Sequence, residues 1–592
     1  MKAPELIIIG LDGAVDSFAA KEAQAGNLPN FARLMKRGCR MTDFRPVHPT
    51  ITPVCWSALQ TGATPEINGI VADKLYLGGH ISNLVSAYNG THLKAERLWE
   101  AAARAGKSSI VDSMPVSGPR RSELVWQMEG TSGNPGRMIM PDGSTEYVDI
   151  PQQVWFFDKN KKPVDKLKDV KVLPSPVTEE KDGVFTLGVL QDSADANRHN
   201  FLPISWKLEA SENGFTLYDS KGVRISLVPG KWTEPYHGEF PTTAEPLPLA
   251  FRFIALELED GFLIFASAAC FVHDRVCPDE FAEMFYNMPP TPVHREYFFF
   301  ANPATNKIAM DSWDFHVQWH IEMFKRALEK KNPEIIVTYM GDIDTVNHFF
   351  WPELAGAKET TPEQYKFVEG CYRKIYQTAD RFIGYFLDNV ADENTIIWIV
   401  SDHGSIGVKE ERDINAALEK AGLLVRFPDR QVDWSKTQAA YRGCGHIFVN
   451  LEERGGGIVP ASEYESTIDK VITALQDNLR GPDGESYLAF AVRGREAGFF
   501  GLGGERCGDV VIGLTAGYAA MTVHAEQIPT ATGPYGSMRA LSMLSGPGVP
   551  ENCVWDKPVN SIDIAPTICT KMGVPLPAQS NGRVIREFVD KK

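Results

Sequence analysis

No Cys-x-x-Cys pair occurs among the nine cysteines of this 592-residue chain, and their positions follow no regular spacing. That argues against both a thiolate zinc site and a disulfide framework, and it leaves most of the cysteines as small buried apolar residues. Long apolar runs are missing too. The heaviest, Phe262 to Val272, is interrupted by Ser267 and is too short to cross a bilayer, so no transmembrane helix is expected. The N-terminus lacks the character of a signal peptide: Glu5 interrupts it, and Leu6-Ile7-Ile8-Ile9-Gly10 runs straight into Asp12-Gly13, a motif the mature fold needs. The expected location is cytoplasmic. Positive charge is in short supply, with 60 Lys and Arg against 76 Asp and Glu and a net charge of −16. Such a surface disfavours nucleic-acid and anionic-membrane binding, both of which rely on basic side chains. An anionic substrate would have to be attracted locally, for example by bound metal. No internal repeat or low-complexity tract interrupts the chain. The GLGGERCG segment beginning at Gly501 lacks both the Lys-Ser/Thr ending and the preceding strand of a phosphate loop, so it carries no nucleotide role.

What is present is length and alternation. A chain of 592 residues with 43% apolar content exceeds what one core supports, so more than one lobe is expected. Leu6 to Leu11 reads as a buried parallel strand and NLPNFARLMKRG as a helix closing at Gly38. A helix around Leu93 to Ala105 and a strand at Ser108 to Val111 follow. From Pro115 to Ala301 the texture changes to short strand-like alternations broken by Gly, Pro, Asn and Asp, the pattern of an inserted, mainly β lobe without a catalytic constellation. Long helices at Ser312 to Lys331 and Pro362 to Val390 each lead into an apolar strand. After a mixed segment, GDVVIGLTAGY reopens a strand pattern. The pattern predicts an α/β fold with a doubly wound, mostly parallel sheet. Its parts are expected at 1–114, 302–429 and 511–592, with the β lobe at 115–301 and a smaller mixed cap at 430–510.

Three apolar strands, LIIIGLD, IIVTYMGDID and TIIWIVSDHG, deliver acids at or just beyond their carboxyl ends, the edge at which open α/β sheets bind ligands. Asp344 and His348 are four residues apart, which puts both on one face of a helical turn and suits them to one metal ion. Asp402 and His403 are adjacent and need the turn at Gly404, while Gly13 allows close backbone approach beside Asp12. Any one of these is an ordinary cap or turn residue. Together, three Asp-bearing strand ends and two histidines are better explained by two divalent metals. Oxygen and imidazole donors without thiolate suit zinc, and also manganese or iron. Two such ions about 4 Å apart activate a nucleophile and stabilise a leaving oxygen. Thr52, before Pro53 at the start of a helix, reads as an N-cap on its own and as a nucleophile beside such metals.

The ordered series GLDG, HPTITPVCWSALQTGATPEINGI, DIDTVNHFFW and SDHGS resembles the alkaline phosphatase superfamily, and within it the type I phosphodiesterase/nucleotide pyrophosphatase family. The resemblance covers the core segments, roughly residues 4–112, 312–420 and 510–585. It implies an alkaline-phosphatase-like core, with one metal held by Asp12, the Thr52 hydroxyl, Asp402 and His403. The second would be held by Asp344, His348 and a further histidine. Thr52 would attack phosphorus to give a covalent phosphothreonine that water then hydrolyses. Family members carry the last histidine in a GxHG-like loop before a GPG segment, here Gly546-Pro547-Gly548. This chain has no HG there; His524 is the assigned ligand, with His446 and Tyr535 as the alternatives. The expected substrate is a small phosphodiester or phosphoanhydride. The competing readings are a non-catalytic binding protein on the same scaffold and a phosphonate or phosphomonoester hydrolase. The CxPSR-like segment of sulfatases is absent around Thr52.

Overall fold

The computed structural model describes residues 2–128, 153–170, 174–181, 183–188, 205–240, 247–267, 305–521 and 538–589, plus short stretches between 138 and 303. The chain folds into two compact units, residues 1–125 with 332–592, and residues 126–331.

In the first unit, seven strands lie side by side: Leu6–Leu11 (β1), Gly38–Met41 (β2), Ser109–Asp112 (β3), Ile335–Met340 (β4), Ile396–Val400 (β5), Ser542–Ser545 (β6) and Cys553–Trp555 (β7). Their spatial order is β3-β4-β1-β5-β6-β2-β7, and among these seven only β6 runs against its neighbours. The near-continuous apolar sequences of β1, β4 and β5 are what a parallel sheet covered on both faces requires, and every residue of the three is buried. One face packs on a cluster that includes Ile8, Trp56, Trp99, Trp398 and Ile568.

The same unit carries a smaller antiparallel sheet of Ala439–Tyr441, His446–Val449, Val510–Leu514 and Leu488–Arg493. The helices Ile414–Lys420 and Tyr464–Asn478 share its core. Val510–Leu514 therefore pairs inside the cap rather than returning to the main sheet. Its five buried apolar residues serve a covered strand in either sheet, so the sequence pattern alone does not choose.

The second unit is mainly antiparallel β among its described residues, with a three-stranded sheet of Gln153–Asp158, Phe253–Glu257 and Gly261–Ala266 and a five-stranded one spanning Val177 to Leu227. Aromatic residues including Trp155, Trp206, Phe215 and Phe253 fill its core. The helix Asn306–Lys330 belongs to this unit rather than to the segment beginning at 302 assigned to the main core. Ile308 packs beside Val154 and Phe156, and Asp311 accepts a hydrogen bond from the Trp232 indole at 2.9 Å. No helix among the described residues is long and apolar enough to cross a membrane.

Candidate active site

β1 lies between β4 and β5, and the register places Leu11 opposite Met340 and Gly10 opposite Val400, so the three strands end at one level. The chain beyond each end carries an acid. Asp12 follows β1 with its amide donating to the Met340 carbonyl at 2.9 Å. Asp344 and His348 sit in the helix Asp342–Leu354, which starts two residues after β4, and Asp402 and His403 follow β5.

Gly13 lets these segments meet. It has φ +65°, and a Cβ there would lie 2.6 Å from Asn347 Nδ2, 2.8 Å from Asp344 Oδ1 and 2.9 Å from Asp344 Cα. The Gly13 amide donates to Asp402 Oδ1 at 3.2 Å, and its carbonyl accepts from Asn347 Nδ2 at 2.7 Å. Asn347 is itself fixed by the Tyr372 hydroxyl, which donates to its Oδ1 at 2.6 Å. The Ala14 amide donates to Ser401 Oγ at 2.9 Å, and that hydroxyl donates to the His403 carbonyl at 2.6 Å, which ties the β1 loop to the β5 loop.

Asp12, Asp344 and His403 each offer a ligand atom within 4.8 Å of the others. His403 Nε2 lies 3.5 Å from Asp12 Oδ1 and 3.4 Å from Asp402 Oδ2. His348 Nε2 lies 3.1 Å from Asp344 Oδ2. Tyr339 OH and Trp56 Nε1 donate to Asp12 Oδ2 at 2.5 and 3.2 Å, and the His403 Nδ1 faces the Gly404 carbonyl at 2.9 Å. Those bonds fix the outer atom of each group. The inner atoms, Asp12 Oδ1, Asp344 Oδ1, Asp402 Oδ2 and His403 Nε2, are buried with no hydrogen-bond partner. Leaving such groups unsatisfied costs on the order of 1–3 kcal/mol each, so a cluster of four calls for a cation. The residues fit divalent metal, with oxygen and imidazole donors and outer-shell hydrogen bonds that fix their orientation.

The electrostatics agree. Burial, reinforced by Asp344, pushes the Asp12 carboxyl up, and burial with Asp12 pushes Asp402 well up. Burial opposes charge on His403 too, but Asp402, Asp12 and Asp344 outweigh it and raise the imidazole to about 9. At Asp344 the burial effect is outweighed by His348, which lowers it, and at His348 burial is outweighed by Asp344, which raises it. Without metal, protons partly balance the acids; metal binding would displace them.

Thr52 is the first residue of the helix Thr52–Thr61, and Ile51, in extended conformation, occupies the N-cap. The helix thus starts one residue earlier than Thr52 as N-cap would require. Thr52 lines a cavity of about 290 Å³ together with Asp344, His348, Asp73, Tyr88 and Cys444. The Cys55 thiol points elsewhere, donating to the Val47 and Pro49 carbonyls at 3.7 and 3.6 Å. Trp56 reaches Asp12 because Gly10 has no side chain; a Cβ there would lie 2.6 Å from the indole.

His446 is fully committed elsewhere. Its Nδ1 accepts from the Gly508 amide at 2.9 Å and its Nε2 faces the Val71 carbonyl at 3.0 Å, while burial holds its pKa down at about 4. His524 and Tyr535 lie outside the described residues. The sequence alone does not single out Trp56, Tyr339 and Asn347 as supports, or Asp73, Tyr88 and Cys444, with Tyr441 beside them, as residues lining the cavity. Asn347 alone carried a signal, three residues after Asp344 in the same helical motif.

Residues 6–211 and 265–534 match the type I phosphodiesterase / nucleotide pyrophosphatase family. The chain belongs to that family. Type I phosphodiesterases are metal-dependent phosphoric ester hydrolases, and this member carries GLDG, DIDTVNH and SDHG on converging strand ends, with Thr52 at a helix start. A variant of the alkaline phosphatase PafA aligns over 100% of both chains with 12% identity and a TM-score of 0.50, which shows the alkaline phosphatase fold. Human ectonucleotide pyrophosphatase / phosphodiesterase 5 aligns over 98% of this chain and 96% of its own, with 13% identity and a TM-score of 0.47. A curated relative, an extracellular sulfatase Sulf-1 homologue of Caenorhabditis elegans, is 42% identical over 55 residues; the match spans 9% of this chain and 8% of that protein.

Proposed function

We propose that this chain hydrolyses phosphodiesters or phosphoanhydrides through a covalent phosphothreonine at Thr52. Asp12, Asp402 and His403 with the Thr52 hydroxyl would hold one divalent ion, and Asp344 and His348 with His524 a second, zinc before manganese or iron. The observation that carries this reading is the convergence of four buried ligand atoms without hydrogen-bond partners beside the cavity that Thr52 lines. Divalent ions there would neutralise charge on phosphoryl oxygens and make a hydroxyl and a water acidic enough to react near neutral pH.

Thr52 Oγ attacks phosphorus, the ester oxygen departs, and water then cleaves the phosphothreonine to restore the hydroxyl. Its place at a helix N-terminus sets amide dipoles where negative charge develops. Asp12 keeps its position during these steps because Trp56 and Tyr339 hold its other oxygen. The cavity of about 290 Å³ that Thr52 lines has room for a small ester.

The test is to measure bound metal and to assay bis-p-nitrophenyl phosphate beside the monoester, with and without chelator. Two ions per chain are expected, with chelation abolishing most of the diesterase activity and added zinc restoring it. His524→Ala should lower metal content, whereas His446→Ala should leave it near wild type. A metal-free, inert protein would favour a binding module on the same scaffold, and preference for the monoester would favour a phosphatase.

A further inference from the structure

Away from the active site, the register of the outermost described strand pair sets two cysteines face to face. β2 and β7 are parallel neighbours, and Cys39 is the direct partner of Cys553. Both are free thiols, and both side chains reach the same core cluster, so they lie on one face of the sheet. Adjacent strands lie about 4.8 Å apart. A disulfide accommodates Cα separations of about 4.4–6.8 Å, a range that includes this strand spacing. Hydrogen bonds flank the pair and fix the register, from the Asn552 amide to the Lys36 carbonyl and from the Thr42 amide to the Trp555 carbonyl, each 2.9 Å. Cys39 is fully buried; Cys553 is partly exposed.

We propose that Cys39 and Cys553 are a reversible disulfide pair that staples the edge strand β7 to β2 under oxidising conditions. The oxidant is a low-molecular-weight disulfide such as oxidised glutathione. The Cys553 thiolate attacks one sulfur of that disulfide, forming a mixed disulfide and releasing one thiolate. The Cys39 thiolate then attacks the Cys553 sulfur and releases the second. Two protein thiols and one small disulfide become one protein disulfide and two small thiols, the protein protons passing to the departing thiolates. Burial, together with the neighbouring Cys553, pushes the Cys39 thiol up, and the more exposed Cys553 is the thiol placed to meet the oxidant first. The bond closes a very long loop through an edge strand of only three residues, which favours stabilisation.

The experiment equilibrates the native full-length protein in glutathione buffers of graded ratio, quenches with acid, alkylates, and maps peptides without reduction. The expected result is a Cys39–Cys553 cross-linked peptide that grows with oxidised glutathione and lowers the thiol count by two. It should be reversed by a reducing buffer and accompanied by a rise in thermal midpoint. Cys553→Ser, at a partly exposed position, should lose the cross-link and the rise while keeping its hydrolytic activity. Persistent glutathione on Cys553 without the cross-link, a cross-link formed only after unfolding, or two thiols that stay reduced at every ratio would each overturn the proposal.

Discussion

Thr52→Ala is expected to lower diester hydrolysis by roughly 1,000-fold or more while leaving the protein folded. The size follows from the proposed role: alanine removes the attacking oxygen, so the variant retains only what binding and electrostatics contribute. Stability should change by about 1 kcal/mol or less, because Ile51 rather than Thr52 is the N-cap and Thr52 is only partly buried. Metal content should fall far less than activity, since Asp12, Asp402 and His403 remain. Steady-state assay, thermal denaturation and metal analysis of one preparation check all three. Full activity in the variant would rule out Thr52 as nucleophile.

Gly13→Ala should damage the site without replacing any ionisable group. An alanine at φ +65° costs about 1–3 kcal/mol in backbone strain. Its Cβ would also stand 2.9 Å from Asp344 Cα, a backbone atom that cannot rotate aside. The helix Asp342–Leu354 must then shift from the end of β1, carrying Asp344 away from Asp12 and His403. A displacement near 1 Å at a reacting centre costs roughly 100-fold in rate, and metal content should fall with it. Gly26→Ala is the control: it has φ +82° with nothing within 4 Å of the added methyl, so it should lose stability and keep its activity. Equal activity losses in the two variants would show that the Gly13 effect is global destabilisation.

The three acid-bearing strand ends could be read from the sequence because each is a short apolar run followed by an acid, a purely local pattern. Their convergence depends on strand order, with β1 between β4 and β5, and on the register that ends all three at one level. The supports of Asp12 were not legible. Trp56 and Tyr339 carry ordinary core sequence signals, and their polar atoms reach the carboxylate only because a helix and a strand distant in the chain pack together. The same limit explains Val510–Leu514 and the helix Asn306–Lys330, whose apolar patterns say that they are buried and not against what. His446 shows the converse: a histidine in a turn-rich segment that offers metal-ligand chemistry in sequence has both ring nitrogens engaged by backbone in the fold.

The central claim is that Thr52 is covalently modified during turnover. Acid quenching of the metal-loaded protein during bis-p-nitrophenyl phosphate hydrolysis, followed by peptide mass spectrometry, tests it most directly. The account predicts a phosphoryl adduct on the Thr52 peptide that appears only with substrate and is absent from Thr52→Ala. Chelator-sensitive turnover with no adduct at Thr52 at any quench time, and with Thr52→Ala still active, would contradict it.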